Sequence, residues 1–456
     1  MGKATKTIKQ RLEYRPSIAA WFETTQTLFN QIAEFYFEVI QAHPGILDLN
    51  DLEALAALEQ LTHATKAHCH PPFPLTIICE GIPAMFRRAT INVALGSARA
   101  LRSQFARWHK RKVRSEAKGK KYTIRPPAPP RVWNRSPTLY AGMWKDRQKS
   151  TIMLKLWTGT SWAWVKIRVA GQVLLEGWEP NSPSLVPHKT GWWLHTPVEK
   201  RVKSPGSVAK QIAMNPETRI CAVDLNLDQH SAVCTIQTGE GTVLATRFTG
   251  NGKQAHGFRK SLLGRIARRR SETGIIALGE QDNAHLWAKV RHLDEQMAHL
   301  VSRRIVDFAR QYGATVLVFE HLGNLRPEKG RYSKRSNAKR MYWLKGRIFR
   351  YARYKAWAEG IVTCRVSPWN TSRECARCHA SIIRYAEGQP VEGYRAGAPL
   401  VLCSVCHMRG NADRNASIVI GQRLISKHQE KPLARPKGRS AKAEGLSHSQ
   451  DAKQKN

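Results

Sequence analysis

No run of about 18 consecutive apolar residues occurs in this chain, so no membrane-spanning helix is expected. The first residues, MGKATKTIKQRLEYRP, lack the apolar core of a signal peptide, and the expected location is therefore the cytosol, or the nucleoid or nucleus. Cysteine is scarce: nine in 456 residues is a cytosolic density and speaks against a disulfide framework. Acidic residues are scarce as well. There are 34 Asp and Glu against 74 Lys and Arg, a formal net charge of +40. An excess of that size repels itself and destabilises a compact state unless a polyanion neutralises it. Nucleic acid is the expected partner, with an affinity that falls steeply as salt rises, and a membrane surface is the weaker alternative. Residues 429–456 contain no aromatic side chain and only Leu433 and Leu446 as large apolar ones, the composition of a basic disordered tail.

The chain has room for roughly three domains. TKTIKQRL (5–12) alternates like a short strand. Pro16 and Ser17 then open a helix with Ile18, Phe22, Phe29, Ile32, Tyr36 and Val39 mostly at steps of three and four, which Pro44–Gly45 ends. Residues 51–61 and about 83–115 also read as helices. The second ends in a stretch with ten Lys/Arg and only Glu116 as an acid between Arg99 and Lys121, beside Phe105 and Trp108, which suggests a phosphate-facing helix. After the proline cluster RPPAPPR (125–131) the period becomes two. TIMLKLW (151–157), SWAWVKIRV (161–169) and WWLHTPVEKRV (192–202) predict a small barrel or sandwich. From 219 three strands, RICAVDLN, SAVCTIQ and TVLATRF, precede a helix with Leu286, Val290, Leu293, Met297, Leu300, Ile305 and Phe308 on one stripe. ATVLVFE (314–320) and IVTCRV (361–366) are further strands, so this half is an α/β domain.

CARCH (375–379) and CSVCH (403–407) carry two readings. Cys-x-x-Cys-His attaches c-type haem, but that chemistry needs an exported setting that nothing here supplies. Two knuckles separated by 24 residues suit one tetrahedral Zn²⁺ held by Cys375, Cys378, Cys403 and Cys406. Four thiolates fill such a site, which leaves His379 and His407 outside it.

Three carboxylates stand out by position. Asp224 lies inside an apolar strand, Glu320 ends another, and Asp413 enters a helix in GNADRNASIVIG. Each alone would be read as a cap or an ion-pair partner. Together, in so basic a chain, they suit a pair of Mg²⁺ ions that activate water and stabilise the leaving oxygen of a phosphodiester. Asp228 is a nearby exposed spare.

AVDLNLDQHSAVCTI (222–236), VLVFEHLGNL (316–325), YKAWAEGIVTCRVSPWNTSRECARC (354–378) and CSVCHMRGNADRNASIVI (403–420) resemble the RuvC nuclease half of TnpB and the compact type V CRISPR effectors. The resemblance is specific over about 219–422. It implies an N-terminal wedge β-barrel (1–15 and 122–210) with a helical recognition insertion (16–121). Beyond these it implies an RNase H-like RuvC α/β domain (211–366, closing at 409–428) and an inserted zinc ribbon (367–408) that contacts target nucleic acid. Asp224, Glu320 and Asp413 match the acidic residues of the three motifs, and the four cysteines match the ribbon. His379 and His407 stand where glycine commonly follows each knuckle, Asn226 where glycine is frequent, and His321 where a second acid is common. The implied activity is Mg²⁺-dependent, RNA-guided DNA cleavage with guide RNA and target DNA as partners. A guide-dependent DNA-binding repressor and a structural zinc-dependent RNA-binding protein are the alternatives, and the oligomeric state is not specified. Arg268, Arg269 and Arg270 in RKSLLGRIARRR, and Lys334, Arg335, Lys339, Arg340 and Arg347 in an aromatic-laced basic stretch (331–355), are the expected nucleic-acid contacts.

Overall fold

A computed structural model describes residues 2–64, 69–215, 217–226, 230–250, 252–274, 282–324, 330, 337, 345–395 and 397–429. Asp228, Lys334, Arg335, Lys339, Arg340 and the tail beyond 429 lie outside the described residues. The chain divides into two compact units, one formed by Lys3–Arg201 and the other by Val202 onward with the first two residues.

The first unit pairs helices with a curved sheet. β1 (Gly2–Glu13) leads into α1 (Pro16–Ala42), where proline at the first position meets no hydrogen-bonding demand on its missing N–H. Phe22, Phe29, Ile32 and Tyr36 recur at helical spacing and are fully buried, each ring or branched chain contributing about 1.5–3 kcal/mol. α2 (Asp51–Thr62) begins with a reciprocal cap: Asn50 accepts from the Glu53 N–H, and Glu53 accepts from the Asn50 N–H. α3 (Ala84–Glu116) buries Phe86, Ile91 and Leu95 and nothing beyond Ala98. Its outer half is the basic stretch, yet Arg102 is paired to Asp48 at 2.6 Å and Arg99 to Asp51. Trp108 donates its indole N–H to the Ile124 carbonyl at 2.8 Å, so it anchors the following segment rather than facing outward to a phosphate.

β2 (Trp144–Lys145), β3 (Thr151–Trp157), β4 (Trp162–Gly171), β5 (Glu179–Pro180), β6 (Ser184–His188) and β7 (Gly191–Val202) join β1 in a seven-stranded sheet, ordered β2-β3-β4-β1-β7-β5 with β6 also on β7. Ile152, Leu154 and Leu156 alternate inward toward α1 and α3. Thr24 and Thr25 of α1 close the end of β3 by bonding the Trp157 carbonyl and N–H at 2.7 and 2.9 Å. The named strands form a half-barrel where a small barrel or sandwich was expected, and an isolated bridge joins Thr138 to Ser184 of β6.

The second unit is a five-stranded mixed sheet between two helical layers. It contains α4 (Val208–Met214), β8 (Ile220–Leu225), β9 (Ala232–Gln237), β10 (Val243–Thr249), α5 (Gly252–Thr273), α6 (Ala284–Gln311), β11 (Val316–Glu320), α7 (Lys345–Ala358) and β12 (Val362–Val366). The order is β10-β9-β8-β11-β12; the first three strands are antiparallel and the last three parallel. β13 (Ile382–Tyr385), β14 (Leu400–Cys403) and β15 (Arg409–Asn411) form a small antiparallel sheet before α8 (Ala412–Gln429).

β8 is buried at all six positions because both its faces are covered. Cys221, Val223 and Leu225 pack with Leu317 and Phe319 against α6 and α7. Ile220, Ala222, Val316 and Val318 pack against Ile420, Leu424 and Ile425 of α8. Leu300, expected on the buried stripe of α6, is 38% exposed, while Asp294 is buried and paired with Arg259 of α5 at 2.9 Å. An acid thus belongs to the core face of this helix.

Candidate active site

Strand parity places the first two carboxylates. Asp224 continues the α8-facing row of Ile220 and Ala222, and Glu320 continues that of Val316 and Val318. The parallel register pairs Val223 with Phe319, so the next residues, Asp224 and Glu320, stand side by side at the carboxyl ends of two adjacent strands. The third arrives from α8. Its residue Ser417 donates to the Ala222 carbonyl at 2.9 Å and meets Thr235 at 2.9 Å. Gly421 lies so close to Gln237 of β9 that an added Cβ would meet its side chain at 2.3 Å. The helix therefore runs antiparallel to β8, with its first turn over Asp224. Asn411 caps it by accepting from the Asp413 and Arg414 N–H groups at 3.0 Å each.

Asp224 is 8% exposed, and burial, followed by the charges of Glu320 and Asp413, pushes its carboxyl well above the ordinary range. Burial also raises Glu320, against a hydrogen bond from Thr371 and the nearby Arg423 charge. The three acids thus sense one another. The side chains around them were not predicted as site residues. Asn226 donates to Asp224 Oδ2 at 3.0 Å, Thr371 donates to Glu320 Oε1, and Arg384 meets Asp413 Oδ1 at 3.5 Å. Asn226, where glycine is frequent, does not take the left-handed backbone, and its amide bonds Asp224. Asp224 and Glu320, both desolvated, with the charge of Asp413 acting on Asp224, fit divalent cations.

The four cysteines form a second cluster, with all four sulfurs within 4.8 Å of one another. Cys375 and Cys406 are 3.6 Å apart and Cys378 and Cys403 3.4 Å, close to the roughly 3.8 Å edge of a tetrahedron with 2.3 Å metal–sulfur bonds. The two knuckles repeat one design. Cys375 N–H donates to Ala380 and Cys403 N–H to Met408, while His379 and His407 donate back to the first cysteine of each. Both histidines are left-handed, at φ 62° and 55°, the conformation that favours glycine. His379 Nδ1 is 2.7 Å from Glu374, away from the sulfurs. Backbone N–H groups of Cys406 and Val405, with that of Cys406 the stronger, bring the Cys403 thiol down to about 7, toward the thiolate a metal takes. The residues fit zinc.

The two clusters are mechanically joined. β15 runs directly into α8, Asn415 bonds the Glu374 carbonyl and the Ala376 N–H, and Gln422 bonds the Ala376 carbonyl. Arg268, Arg269 and Arg270 are exposed on α5, whereas Arg347 lies 3.8 Å from Glu295. Among the described residues no helix is long and apolar enough to cross a membrane.

A family model of the Cas12f1-like TNB domain matches residues 346–420, the span that carries the knuckles and the start of α8, and a model of the Aq_aa04 family matches residues 6–158. The TnpB-like protein aq_aa05 of Aquifex aeolicus (strain VF5) is 29% identical over 257 residues, covering 54% of this chain and 78% of that one. The chain is thus similar to a TnpB-like protein and, across its knuckles, to Cas12f1-like TNB domains. Among solved structures, the chain shares its fold with the mini-RNA-guided endonuclease CRISPR-Cas_phi3, at TM-score 0.54 and 10% identity over 95% of this chain and 94% of that one. A Cas12f1–sgRNA–target DNA complex is 14% identical across 91% and 98% of the two chains, at TM-score 0.34; the likeness of fold rests on the former.

Proposed function

We propose that this TnpB-like chain is an RNA-guided DNA endonuclease whose cutting site is Asp224, Glu320 and Asp413, in a RuvC-like domain of residues 211–366 and 409–428 interrupted by a zinc ribbon at 367–408. The observation that carries this reading is the convergence of three carboxylates on one face at the ends of β8, β11 and the start of α8. The names of the relatives supply the class: one is an RNA-guided endonuclease and another is bound to guide RNA and target DNA.

Asp224, Glu320 and Asp413 would hold Mg²⁺; such ions, when bound, lower the pKa of water and stabilise the leaving oxygen of a phosphodiester. The protein's own groups prepare that site. Asn226 fixes one oxygen of Asp224, Thr371 orients Glu320, and Arg384, tied to the Ala398 carbonyl at 2.9 Å, sets Asp413. Cys375, Cys378, Cys403 and Cys406 would hold Zn²⁺, a structural crosslink that fixes the strand feeding α8. The cationic excess attracts the guide and target backbones, base pairing to the guide selects the target, and the protein reads a short adjacent DNA motif.

The test begins with the RNA that copurifies with the chain. Its sequence defines a matched duplex, which is presented with Mg²⁺ and with EDTA. Cleavage in Mg²⁺ alone supports the proposal. Guide-dependent binding without cleavage gives the repressor reading, and RNA retention without DNA binding gives the structural RNA-binding one.

A further inference from the structure

β12 ends at Val366, paired with Glu320, and the chain leaves the sheet there through Ser367, Pro368, Trp369, Asn370 and Thr371. Of this turn only Thr371 is buried; the other four residues are exposed, but the backbone is held by hydrogen bonds. Thr371 is 2% exposed and reaches Glu320 and, at 3.2 Å, the Pro368 carbonyl. Ser367 Oγ accepts from the Trp369 N–H at 3.4 Å, and the Asn370 carbonyl accepts from the Arg373 N–H at 2.9 Å. Arg423 of α8 holds the Trp369 carbonyl and, at 3.4 Å, the Ser367 carbonyl, while also pairing with Glu374. The backbone of Trp369 is therefore clamped from both sides. Its indole is 77% exposed, the most exposed aromatic ring among the described residues.

A tryptophan held this way loses no backbone freedom when something covers it, and its two-sided π surface is the part left for a ligand. It stands two residues from the side chain that orients Glu320. Arg365 and Arg373, near it in sequence, lie over the rings of Phe349 and Tyr394, and Arg423 pairs with Glu374; the net cationic excess of the chain suits a polyanion and not an apolar partner. We infer that Trp369 is a stacking platform for a nucleobase of the strand whose phosphate lies at the acidic cluster, so that it positions that strand and sets how tightly it is held. This rests on the reading of Asp224, Glu320 and Asp413 as a phosphodiester site. A stacked base contributes with little regard to its identity, so the platform positions without reading sequence.

The experiment uses the full chain with its copurifying RNA. A single-stranded DNA carrying one 5-iodouracil is bound with Ca²⁺ in place of Mg²⁺ at moderate salt, irradiated, and the crosslinked peptides are mapped. The expected crosslink lies in residues 366–373, persists in Trp369→Phe and in Asp224→Ala, and disappears in Trp369→Ala. In steady-state cleavage, Trp369→Ala raises KM by about 5- to 150-fold, the range of one lost base stack, with kcat much less affected, and Trp369→Phe stays within about threefold of wild type. Crosslinks confined to other segments, with unchanged KM in Trp369→Ala, would overturn the stacking role while leaving the nuclease reading intact. A crosslink at Trp369 in a protein that never cuts DNA would do the reverse.

Discussion

The substitution Asp224→Asn separates the cost of assembling three acids from what that assembly is for. It keeps the shape of the side chain and an oxygen that accepts from Asn226. It removes the charge that Glu320 and Asp413 oppose. Asp224 and Glu320 sit at neighbouring positions on parallel strands about 4.8 Å apart. Two like charges near 5 Å repel by about 3 kcal/mol at an effective dielectric constant of 20. Without metal, Asp224→Asn should therefore be more stable than wild type at neutral pH by about 2–3 kcal/mol, which is roughly 2–4 °C in Tm per kcal/mol for a domain of this size. The sign with pH follows from the raised carboxyl. The native state keeps a proton that the unfolded chain releases, so the stabilisation is fully present below the ordinary aspartate range and is lost as pH rises through the raised value. The advantage of Asp224→Asn thus grows with pH and vanishes in acid. Excess Mg²⁺ should reverse the order at neutral pH, since saturation a thousandfold above Kd contributes about 4.1 kcal/mol to wild type alone. Thermal melts of the full chain in EDTA and in MgCl₂, across pH, read all of this. Equal stability of the two proteins in EDTA, or equal Mg²⁺ stabilisation of both, would refute the coupling.

Metal analysis of purified protein should find about one Zn²⁺ per chain and no haem absorbance, and Cys375→Ser with Cys403→Ser should lose that zinc. Arg259→Met should destabilise by about 3–5 kcal/mol in urea titrations, because Asp294 would be left buried and unpaired, whereas Arg259→Met with Asp294→Leu should fall within about 1 kcal/mol of wild type. RNA affinity should drop by orders of magnitude between low and moderate salt, since a chain of +40 binds largely through released counterions; a flat salt profile would contradict it.

The site was legible to the extent that it is written in local pattern. The alternation of CAVDL and VLVFE puts Asp224 and Glu320 on the same parity as the α8-facing apolar residues, and the Cys-x-x-Cys spacing brings four sulfurs together. What escaped is long-range or inverted. Thr371, Arg384 and Asn415 act on residues from 29 to 51 positions away, and no periodicity marks a hydroxyl or guanidinium that becomes important only through the fold. Leu300, expected on the buried stripe, is exposed, while an ion pair from α5 makes Asp294 compatible with burial. The pairing of Thr138 with Ser184 joins segments 46 residues apart, which strand alternation does not encode.

The central claim is that Asp224, Glu320 and Asp413 act as one unit. Single-turnover cleavage of a guide-matched DNA in Mg²⁺, for the three single alanine variants and their double combinations, tests it most directly. The account predicts that each single variant loses most of the rate while still binding target, that the doubles are little worse than the singles, and that wild-type products carry 5′-phosphate and 3′-hydroxyl ends. Cleavage at the wild-type rate by Asp224→Ala, or losses that multiply across the doubles, would contradict it.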